Sequence, residues 1–437
     1  MRLYAVLFAI GLAVYGALAW ERLGKQSVAP QFVVQADAWL HGHLDVEPVT
    51  SDADWAKLET VALADGREVT GRRMVTQPLF RTTTGDFIPT SQLRQSKGVR
   101  WYMSFPPVPS LLMIPSALIG GRGGNDVIPT ALVAALILPL LLLVLRRLRD
   151  AGLSQRTDEE HLWLVALLAF GTVLFFSSVQ GKVWYTAQVC GVVLALVYTW
   201  ASIEAAHPVA AGLALGAAAL TRTAMAFMLP LFLFEVWRCR RAEWRRIALQ
   251  FGAPVAGFAI AGMIYNAVRF HSPLEFGHTY LDVRQQILIE QFGLASYHYL
   301  ARNLAVAFTL LPEFPGHSPW LQISGHGLAI WVTTPALLYA VWPREKPAIH
   351  RALWITVACV AAPSLFYMNS GWIQFGYRFQ LDYIVFLIVL IAIGGRRLHK
   401  PLIAACIAIN LFGAITFDRQ WQYYRYGGNA YDVVVAH

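Results

Sequence analysis

A carboxylate at the border of an apolar stripe is the first feature of this sequence that could do chemistry. In FVVQADAWLHGHLD, residues 32–45, helical spacing produces an apolar stripe with Asp37 at its edge and His41 one turn further on. An aspartate in that position can accept a proton from a hydroxyl group. It can equally cap or hydrogen-bond its own loop. Gly42 ends the predicted helix, which leaves Asp45 beyond it.

Several cationic side chains could hold an anion in the same region. Arg222 interrupts the apolar stretch 208–237, where a charge indicates either a functional site or a buried partner. Arg378 could bind substrate or anchor the chain at a membrane interface among aromatic residues. Arg269 directly follows an apolar run, so phosphate contact and snorkelling are equally open. The candidate substrate-binding residues are Arg222, Arg378 with its neighbour Tyr377, Arg269 and Lys182.

Metal-dependent chemistry is possible but not indicated, and no cofactor is predicted. The triplet DAD at 52–54 matches a D-x-D pattern, which is common by chance. His41 and His43 have no third ligand at metal-site spacing nearby. The four cysteines lie in or beside apolar segments without paired spacing, so neither a disulfide framework nor a zinc site is predicted. The nucleotide-binding and hydrolase motifs of the Walker, GxSxG and HExxH types are absent.

The elements that must position these residues follow from composition. Of 437 residues, 57% are hydrophobic and 14% charged, which is too apolar for a soluble chain of this length. The net charge of +9 does not indicate nucleic acid, because the basic clusters are short loops that abut apolar runs. Such loops mark the cytoplasmic side of a membrane protein. They include LRRLRD (145–150), RCRRAEWRR (238–246) and GRRLHK (395–400).

Holding those loops inside orders the predicted spans and places the N-terminus in the cytoplasm. The chain is predicted to be an all-α polytopic membrane protein with about eleven transmembrane helices. The stretch 208–237 is interrupted by LTRTA, which predicts a short helical hairpin. The apolar stretch 301–312 is predicted to be either a half-span or an interfacial helix. Residues 3–20 could alternatively be a signal peptide that ends near ALAW. The other spans are 127–145, 161–178, 186–204, 247–268, 325–342, 351–368, 379–394 and 401–417.

These spans place three large polar pieces on the outer face. The divisions are a first helix (1–20), an outer loop (21–126), a bundle (127–268), a second outer loop (269–324), a second bundle (325–417) and an outer tail (418–437). In the first loop, a DG turn between alternating residues predicts a small β-hairpin lobe. The apolar stretches 32–44 and 109–119 are too short to span and predict juxtamembrane helices.

This arrangement resembles the GT-C superfamily of membrane glycosyltransferases. ADAWLHGHLD (36–45) looks like the acidic first-loop motif of that family, and SFPPVPSLLMIP (104–115) like its proline-containing second juxtamembrane segment. GLALGAAALTRTA (212–224) is similar to the glycine-rich span that ends in an LTR or LTK turn. Outer-face segments of unassigned bacterial members resemble YNAVRFHSPLEFGHTY (265–280) and GWIQFGYRFQLDY (371–383). Ala38 follows Asp37 where many members have a second acid, which argues against a metal site.

The resemblance implies transfer of a sugar, a hexose or a pentose, from a polyprenyl-phosphate donor to a lipid, glycan or protein acceptor. The site would face outward from the inner (plasma) membrane of a bacterium. A phosphate leaving group needs no general acid, so one base and a cation suffice, with Asp37 as the base. The acceptor is unknown. The competing hypotheses are a lipid or sugar-lipid transporter (flippase), which would show charges in mid-span and an internal repeat, and a non-catalytic scaffold of the same fold.

Overall fold

The computed structural model describes residues 1–50, 54–283 and 285–427, which form a mostly helical molecule with a small sheet. The α-helices are α1 (Arg2–Leu23), α2 (Gln31–Leu40), α3 (Val108–Gly120), α4 (Val127–Asp150), α5 (Asp158–Phe170), α6 (Leu174–Ser178), α7 (Val183–Ser202), α8 (Pro208–Ala219), α9 (Leu229–Cys239), α10 (Trp244–Phe270), α11 (Gln286–Phe292), α12 (Leu300–Phe308), α13 (Ile330–Thr333), α14 (Leu338–Val341), α15 (His350–Phe366), α16 (Ile384–Ile393) and α17 (Lys400–Thr416). The strands are β1 (Trp55–Leu63), β2 (Glu68–Arg73), β3 (Leu79–Thr82), β4 (Phe87–Pro89), β5 (Leu93–Met103), β6 (Ile323–Ser324) and β7 (Tyr424–Arg425).

Helix length decides which apolar segments can cross a bilayer alone. Among the described residues, four helical segments are long and apolar enough: Arg2–Leu23, Val127–Asp150, Val183–Ala205 and Arg241–Phe270. The apolar helices α8, α15, α16 and α17 have between 10 and 17 residues. The membrane character predicted from composition is therefore supported, whereas the count of about eleven spans is not confirmed.

Some predicted spans are not continuous helices. The stretch 161–178 is divided between α5 and α6, and 325–342 is divided into α13, a 3₁₀ turn at Pro335–Leu337, and α14. Pro335 supplies no backbone N–H and so cannot continue the hydrogen-bonding ladder of α13. The prediction of unbroken spans is wrong at these places, because hydropathy reports burial and not helix continuity.

The centre of the bundle is α16, of which all ten residues are buried. A helix that is apolar on every side gains most by packing on every side. Helices α5, α7, α14 and α15 accordingly pack around it. The short 3₁₀ helix Arg378–Asp382 leads directly into α16, so this buried core fixes the position of the polar residues that precede it.

The segment 208–237 forms a helical hairpin, as predicted. Helix α8 runs to a tip at residues 220–228, and α9 returns. The Glu235 carboxylate of α9 accepts a hydrogen bond from the backbone N–H of Glu204, which precedes α8, at 2.6 Å. At the tip, the Leu220 carbonyl accepts a hydrogen bond from the Val108 N–H at 3.0 Å. The hairpin is thus closed at its base and attached at its tip to the start of α3.

The glycines of α8 permit close packing against α10. A Cβ at Gly212 would lie 2.2 Å from the Phe251 carbonyl oxygen, and one at Gly216 would lie 2.5 Å from the Phe258 ring. No side chain fits in either place without moving a helix. The glycine-rich pattern of this segment therefore has a packing role.

The first loop, residues 21–126, which is predicted to lie outside, contains a five-stranded antiparallel sheet of order β4-β3-β2-β1-β5. The DG turn at Asp65 and Gly66 joins β1 to β2, which confirms the predicted hairpin. The lobe is larger than predicted, and the all-α class holds only for the bundle. Backbone pairing continues beyond the sheet, since Ala56 forms a bridge with Leu281 of the second outer loop.

The two short apolar helices predicted at 32–44 and 109–119 exist as α2 and α3 and pack against each other. All residues of α2 from Gln31 to Asp37 are buried, so this helix is covered on more than its apolar stripe. The helix ends at Leu40, close to the predicted end at Gly42. The uncertain stretch 301–312 contains the nine-residue α12, which is too short to span.

The hairpin closure predicts a stability difference between two glutamates. Glu235 is fully buried, binds both the Arg238 guanidinium (2.7 Å) and the Glu204 N–H, and holds the base of the hairpin. We expect Glu235→Ala to lower the free energy of unfolding by about 1–3 kcal/mol, because two donors lose their acceptor. Glu243→Ala removes a half-exposed pair with Arg240 of the same i,i+3 spacing, and we expect a loss below about 0.5 kcal/mol. Unfolding midpoints in detergent compare the two variants, and equal losses would show that Glu235 does not stabilise the hairpin.

Candidate functional site

A cavity of about 1170 Å³ opens where the first outer loop, the hairpin tip and the loop before α16 meet. It is bounded by aromatic and aliphatic side chains and by a small group of charged ones. The acidic and basic residues that line it, histidine included, are Asp54, Lys182, Arg222, Glu275, His278, Asp282, Arg378, Asp382 and Asp418. The sequence-predicted cations Arg222, Arg378 and Lys182 therefore share one cavity.

Arg222 projects from the hairpin tip and forms a bidentate ion pair. Its Nε donates to Asp382 Oδ1 at 2.9 Å and its Nη2 to Asp382 Oδ2 at 2.7 Å. Asp382 is almost completely buried, and its partner is largely buried. A buried carboxylate needs such pairing to stay charged. The pair joins the hairpin tip to the 3₁₀ helix before α16 and leaves little net charge on Arg222.

Arg378 is held by backbone groups and aromatic rings. Its Nε donates to the Gly371 carbonyl at 3.1 Å, and its guanidinium lies over the rings of Tyr185 (5.6 Å) and Phe379 (5.0 Å). Arg222 lies over the same Phe379 ring at 5.3 Å. Within residues 1–50, 54–283 and 285–427, no carboxylate forms an ion pair with Arg378. The guanidinium therefore presents an unneutralised positive charge to the cavity.

Lys182 also lines the cavity, but its charge is neutralised. The ammonium group binds Asp418 Oδ2 at 2.7 Å, and both side chains are largely buried. This ion pair joins the loop before α7 to the residue that follows α17. Lys182 thus has a structural partner, which makes it a weaker candidate for anion binding than Arg378.

Asp54 is the first-loop carboxylate that lines the cavity. It accepts a hydrogen bond from the Trp184 indole N–H at 2.8 Å. Its own carbonyl accepts one from the Ser104 hydroxyl at 3.0 Å, and the next residue, Trp55, accepts one from the Asp282 N–H. Burial raises the pKa of Asp54, although the indole and the positive charge of Arg378 oppose that rise. The geometry thus holds a destabilised carboxylate near an unpaired guanidinium.

Asp37 lies elsewhere, so the predicted approach of Asp37 to Arg222 and Arg378 is not found. It does not line the cavity. Its carboxylate is 3.6 Å from His41 Nδ1 and faces Gly121, which follows α3. The physical reason is that α2 is buried along its first two turns and packs this side against α3. The catalytic role of Asp37 stays a prediction without support from this arrangement.

Arg269 and Tyr377 are both buried outside the cavity. The Arg269 guanidinium donates to the Met103 carbonyl at 2.8 Å and lies 3.8 Å from the centre of the Tyr265 ring. The Tyr377 hydroxyl is 3.3 Å from the Ser364 hydroxyl. Both side chains have partners that account for their burial, and neither is placed to contact a ligand in this cavity.

Two site residues were missed or undervalued by sequence reasoning. Asp54 belongs to the DAD triplet, and Asp52 of that triplet lies outside the described residues. Asp382 could have been found, because a buried arginine in an apolar stretch requires an acidic partner in another one. In the described part of the chain, no three metal-ligating side chains lie close enough together to hold an ion.

Comparisons with known proteins give distant structural matches and no match of sequence. No protein-family model and no curated protein matches the sequence. The fold is similar to crystal structures of the oligosaccharyltransferase of Archaeoglobus fulgidus at 12% identity. The apo form gives a TM-score of 0.47 over 98% of this chain and 57% of that one, and the form tethered to an acceptor peptide gives 0.43 over 98% and 56%. This chain spans little more than half the length of that enzyme. The function of this chain is therefore inferred from the residues of its own cavity.

The raised pKa of Asp54 predicts that this residue costs stability. A carboxyl group whose pKa is higher in the folded state stabilises the fold only while protonated, and that contribution is lost as the pH rises through its pKa. We therefore expect Asp54→Asn to raise the thermal unfolding midpoint at pH 7. The gain should shrink as the pH falls and vanish below about 3.9, the ordinary pKa of aspartate. A lower midpoint of the variant at pH 7 would contradict the assignment.

Proposed function

We propose that this protein is a membrane glycosyltransferase that takes a sugar from a polyprenyl-phosphate donor and transfers it to a hydroxyl or amide acceptor. The observation that carries the proposal is the presence of one unneutralised guanidinium, Arg378, and one carboxylate with a raised pKa, Asp54, in a single cavity. These are the two groups that the reaction needs. The family resemblance of the sequence supports the same activity.

The charges in the cavity favour a monophosphate donor. Arg222 is neutralised by Asp382 and Lys182 by Asp418, which leaves Arg378 as the cavity-lining cation that forms no ion pair with any described residue. A sugar phosphodiester carries one negative charge, which one guanidinium can balance. Arginine binds phosphate through charge-assisted hydrogen bonds, and burial strengthens them. A diphosphate donor would require a second cation.

The reaction exchanges one bond for another. The acceptor oxygen or nitrogen bonds to the anomeric carbon while the bond from that carbon to the phosphate oxygen breaks. The phosphate leaves with both electrons of that bond, stabilised by Arg378, and the acceptor proton passes to a carboxylate. Asp54 is placed for that role, and its raised pKa makes it a stronger base than an ordinary aspartate. The phosphate is stable as an anion, so no general acid is required.

The location of the cavity suits a donor with a lipid tail. The lobe that supplies Asp54 and the hairpin tip that supplies Arg222 meet at one end of the bundle. The basic loop 238–246 follows the opposite end of the hairpin and marks the cytoplasmic side. We therefore place the site on the extracytoplasmic face, with the polyprenyl chain in the bilayer and the acceptor entering from water.

Two aspartate variants identify the base. We expect Asp54→Asn to lower the transfer rate by about 10²–10⁴, the usual cost of losing a general base, with donor affinity little changed. Asp37→Asn should retain a near wild-type rate, because its carboxylate faces His41 and Gly121. The measurement is release of polyprenyl phosphate by the purified protein in nanodiscs from a panel of hexosyl and pentosyl polyprenyl phosphates.

If Asp37→Asn lost the activity and Asp54→Asn kept a near wild-type rate, Asp37 and not Asp54 would be the base. If the wild-type protein did not cleave the donor but moved it unaltered across the bilayer of sealed vesicles, the result would instead favour a transporter. A protein that neither cleaves nor moves any donor of the panel would favour the scaffold hypothesis.

A second pair of variants tests the phosphate site. We expect Arg378→Gln to weaken binding of undecaprenyl phosphate about ten- to a hundredfold, because a charged hydrogen bond contributes about 1.5–3 kcal/mol. Arg67→Gln is the matched control, since Arg67 is an exposed residue of the sheet lobe paired with Asp65. Native mass spectrometry of the lipid-bound protein gives both affinities. Equal affinities in the two variants would refute the phosphate-binding role of Arg378.

A further inference from the structure

The residue next to the phosphate-binding region is a tryptophan that lines the same cavity. Arg378 Nε donates to the carbonyl of Gly371, and Trp372 is the next residue in the chain. Consecutive Cα atoms are about 3.8 Å apart, so the Trp372 backbone lies close to the guanidinium. The Arg378 guanidinium and the Trp372 side chain line the same cavity, so a group attached to a phosphate on Arg378 enters the cavity that Trp372 lines.

The loop that carries Trp372 is held firmly in place. The Asn369 side-chain oxygen accepts hydrogen bonds from the N–H groups of Gly371 (2.8 Å) and Trp372 (3.0 Å). The carbonyl of Ile373 accepts one from the Tyr185 hydroxyl at 2.9 Å. On the far side, Gly325 leaves room for the indole, because a Cβ there would lie 2.5 Å from it. The orientation of the indole is thus set by the surrounding backbone.

Two aromatic residues of the C-terminal segment extend this surface. The Tyr426 ring contacts Trp372 edge to face at 6.1 Å, and Trp421 contacts Tyr426 at 5.4 Å. All three side chains line the cavity. The segment is brought there by pairing of β7 with β6 and by a hydrogen bond of 2.8 Å between the hydroxyls of Tyr424 and Thr416.

We infer that Trp372, Tyr426 and Trp421 form a platform that binds the pyranose ring of the donor sugar. The inference rests on the proposed function and names the ligand of one part of its site. The C–H face of a pyranose is apolar and slightly positive, and it packs well on an aromatic face, which carries negative charge density. Asn369 lines the same cavity, and its amide group, whose oxygen is occupied by the loop, has a nitrogen that can donate to sugar hydroxyls.

The position of the platform favours the donor sugar over an acceptor sugar. Trp372 follows Gly371, whose carbonyl binds Arg378, the proposed phosphate ligand, and the donor sugar is joined directly to that phosphate. Tryptophan and tyrosine also anchor membrane proteins at the interface. An anchor needs only contact with lipid, whereas these rings contact one another and line a cavity that contains charged residues.

The test compares two lipids that differ only by the sugar. Wild-type protein and its Trp372→Ala and Trp421→Ala variants in nanodiscs, free of glycoside detergents, are titrated with undecaprenyl phosphate and with hexosyl undecaprenyl phosphate by native mass spectrometry. We expect each variant to bind the hexosyl lipid about tenfold more weakly, the value of one aromatic contact, and the sugar-free lipid within about twofold of wild type. Trp421 is exposed, so its removal does not disturb the core.

The control is Trp320→Ala, since Trp320 is also exposed but does not line the cavity, and we expect both affinities to be unchanged. Equal weakening for both lipids would overturn the inference and show that the tryptophans act only through Arg378. Unchanged binding of both lipids would also overturn it. A free methyl hexoside could compete less well in the variants than in wild type while the hexosyl lipid itself binds unchanged. That result would assign the platform to an acceptor sugar and not to the donor sugar. Failure of wild-type protein to bind either lipid would overturn the proposed function, and the platform with it.

Discussion

A charge inside an apolar bundle is costly without a partner, and Asp382 supplies that partner for Arg222. Removing either group from water is costly, and only a bidentate geometry at short distance offsets that cost. The pair fixes the tip of one helical hairpin against the 3₁₀ helix before α16. Because α16 is buried on all sides, the pair also fixes the hairpin relative to the core. Arg222 and Arg378 both lie over the Phe379 ring, so the ion pair of Arg222 also helps to position Arg378. The charge of Arg378 remains free to bind an anion.

The site holds a charged group that its surroundings destabilise on a backbone that is fixed by hydrogen bonds. Asp54 immediately precedes β1, and its carbonyl accepts a hydrogen bond from Ser104 while the carbonyl of the next residue, Trp55, accepts one from the Asp282 N–H. A carboxylate that is buried with a single neutral donor is less stable than one in water, and this is how proteins make a base stronger. The five-stranded lobe is therefore more than a cover for the bundle. It supplies the rigidity that keeps a disfavoured carboxylate in a fixed position.

Sequence reasoning found the elements more reliably than their arrangement. The interrupted run around Arg222 was recognised because a charge in an apolar stretch has few explanations, and the DG turn because its backbone demands are specific. The choice of Asp37 over Asp54 followed an apolar stripe, but a stripe does not say which side of a helix meets a cavity. That depends on how α2 packs on α3, which is a contact between distant segments. The partner of Arg222 lies 160 residues later, a separation that no local pattern encodes.

The long range of these contacts has a consequence for biosynthesis. Arg22, at the end of the first helix, donates a hydrogen bond to the carbonyl of Phe417, 395 positions later, and Lys182 binds Asp418. The cavity wall is therefore incomplete until the last helix has left the ribosome and entered the membrane. The sheet lobe, made early from local contacts, must wait for residues 281 and 282 to complete its pairing. Assembly of such a site is slow and late. A nascent chain consequently cannot bind a ligand in the completed cavity before residues 417 and 418 are in place.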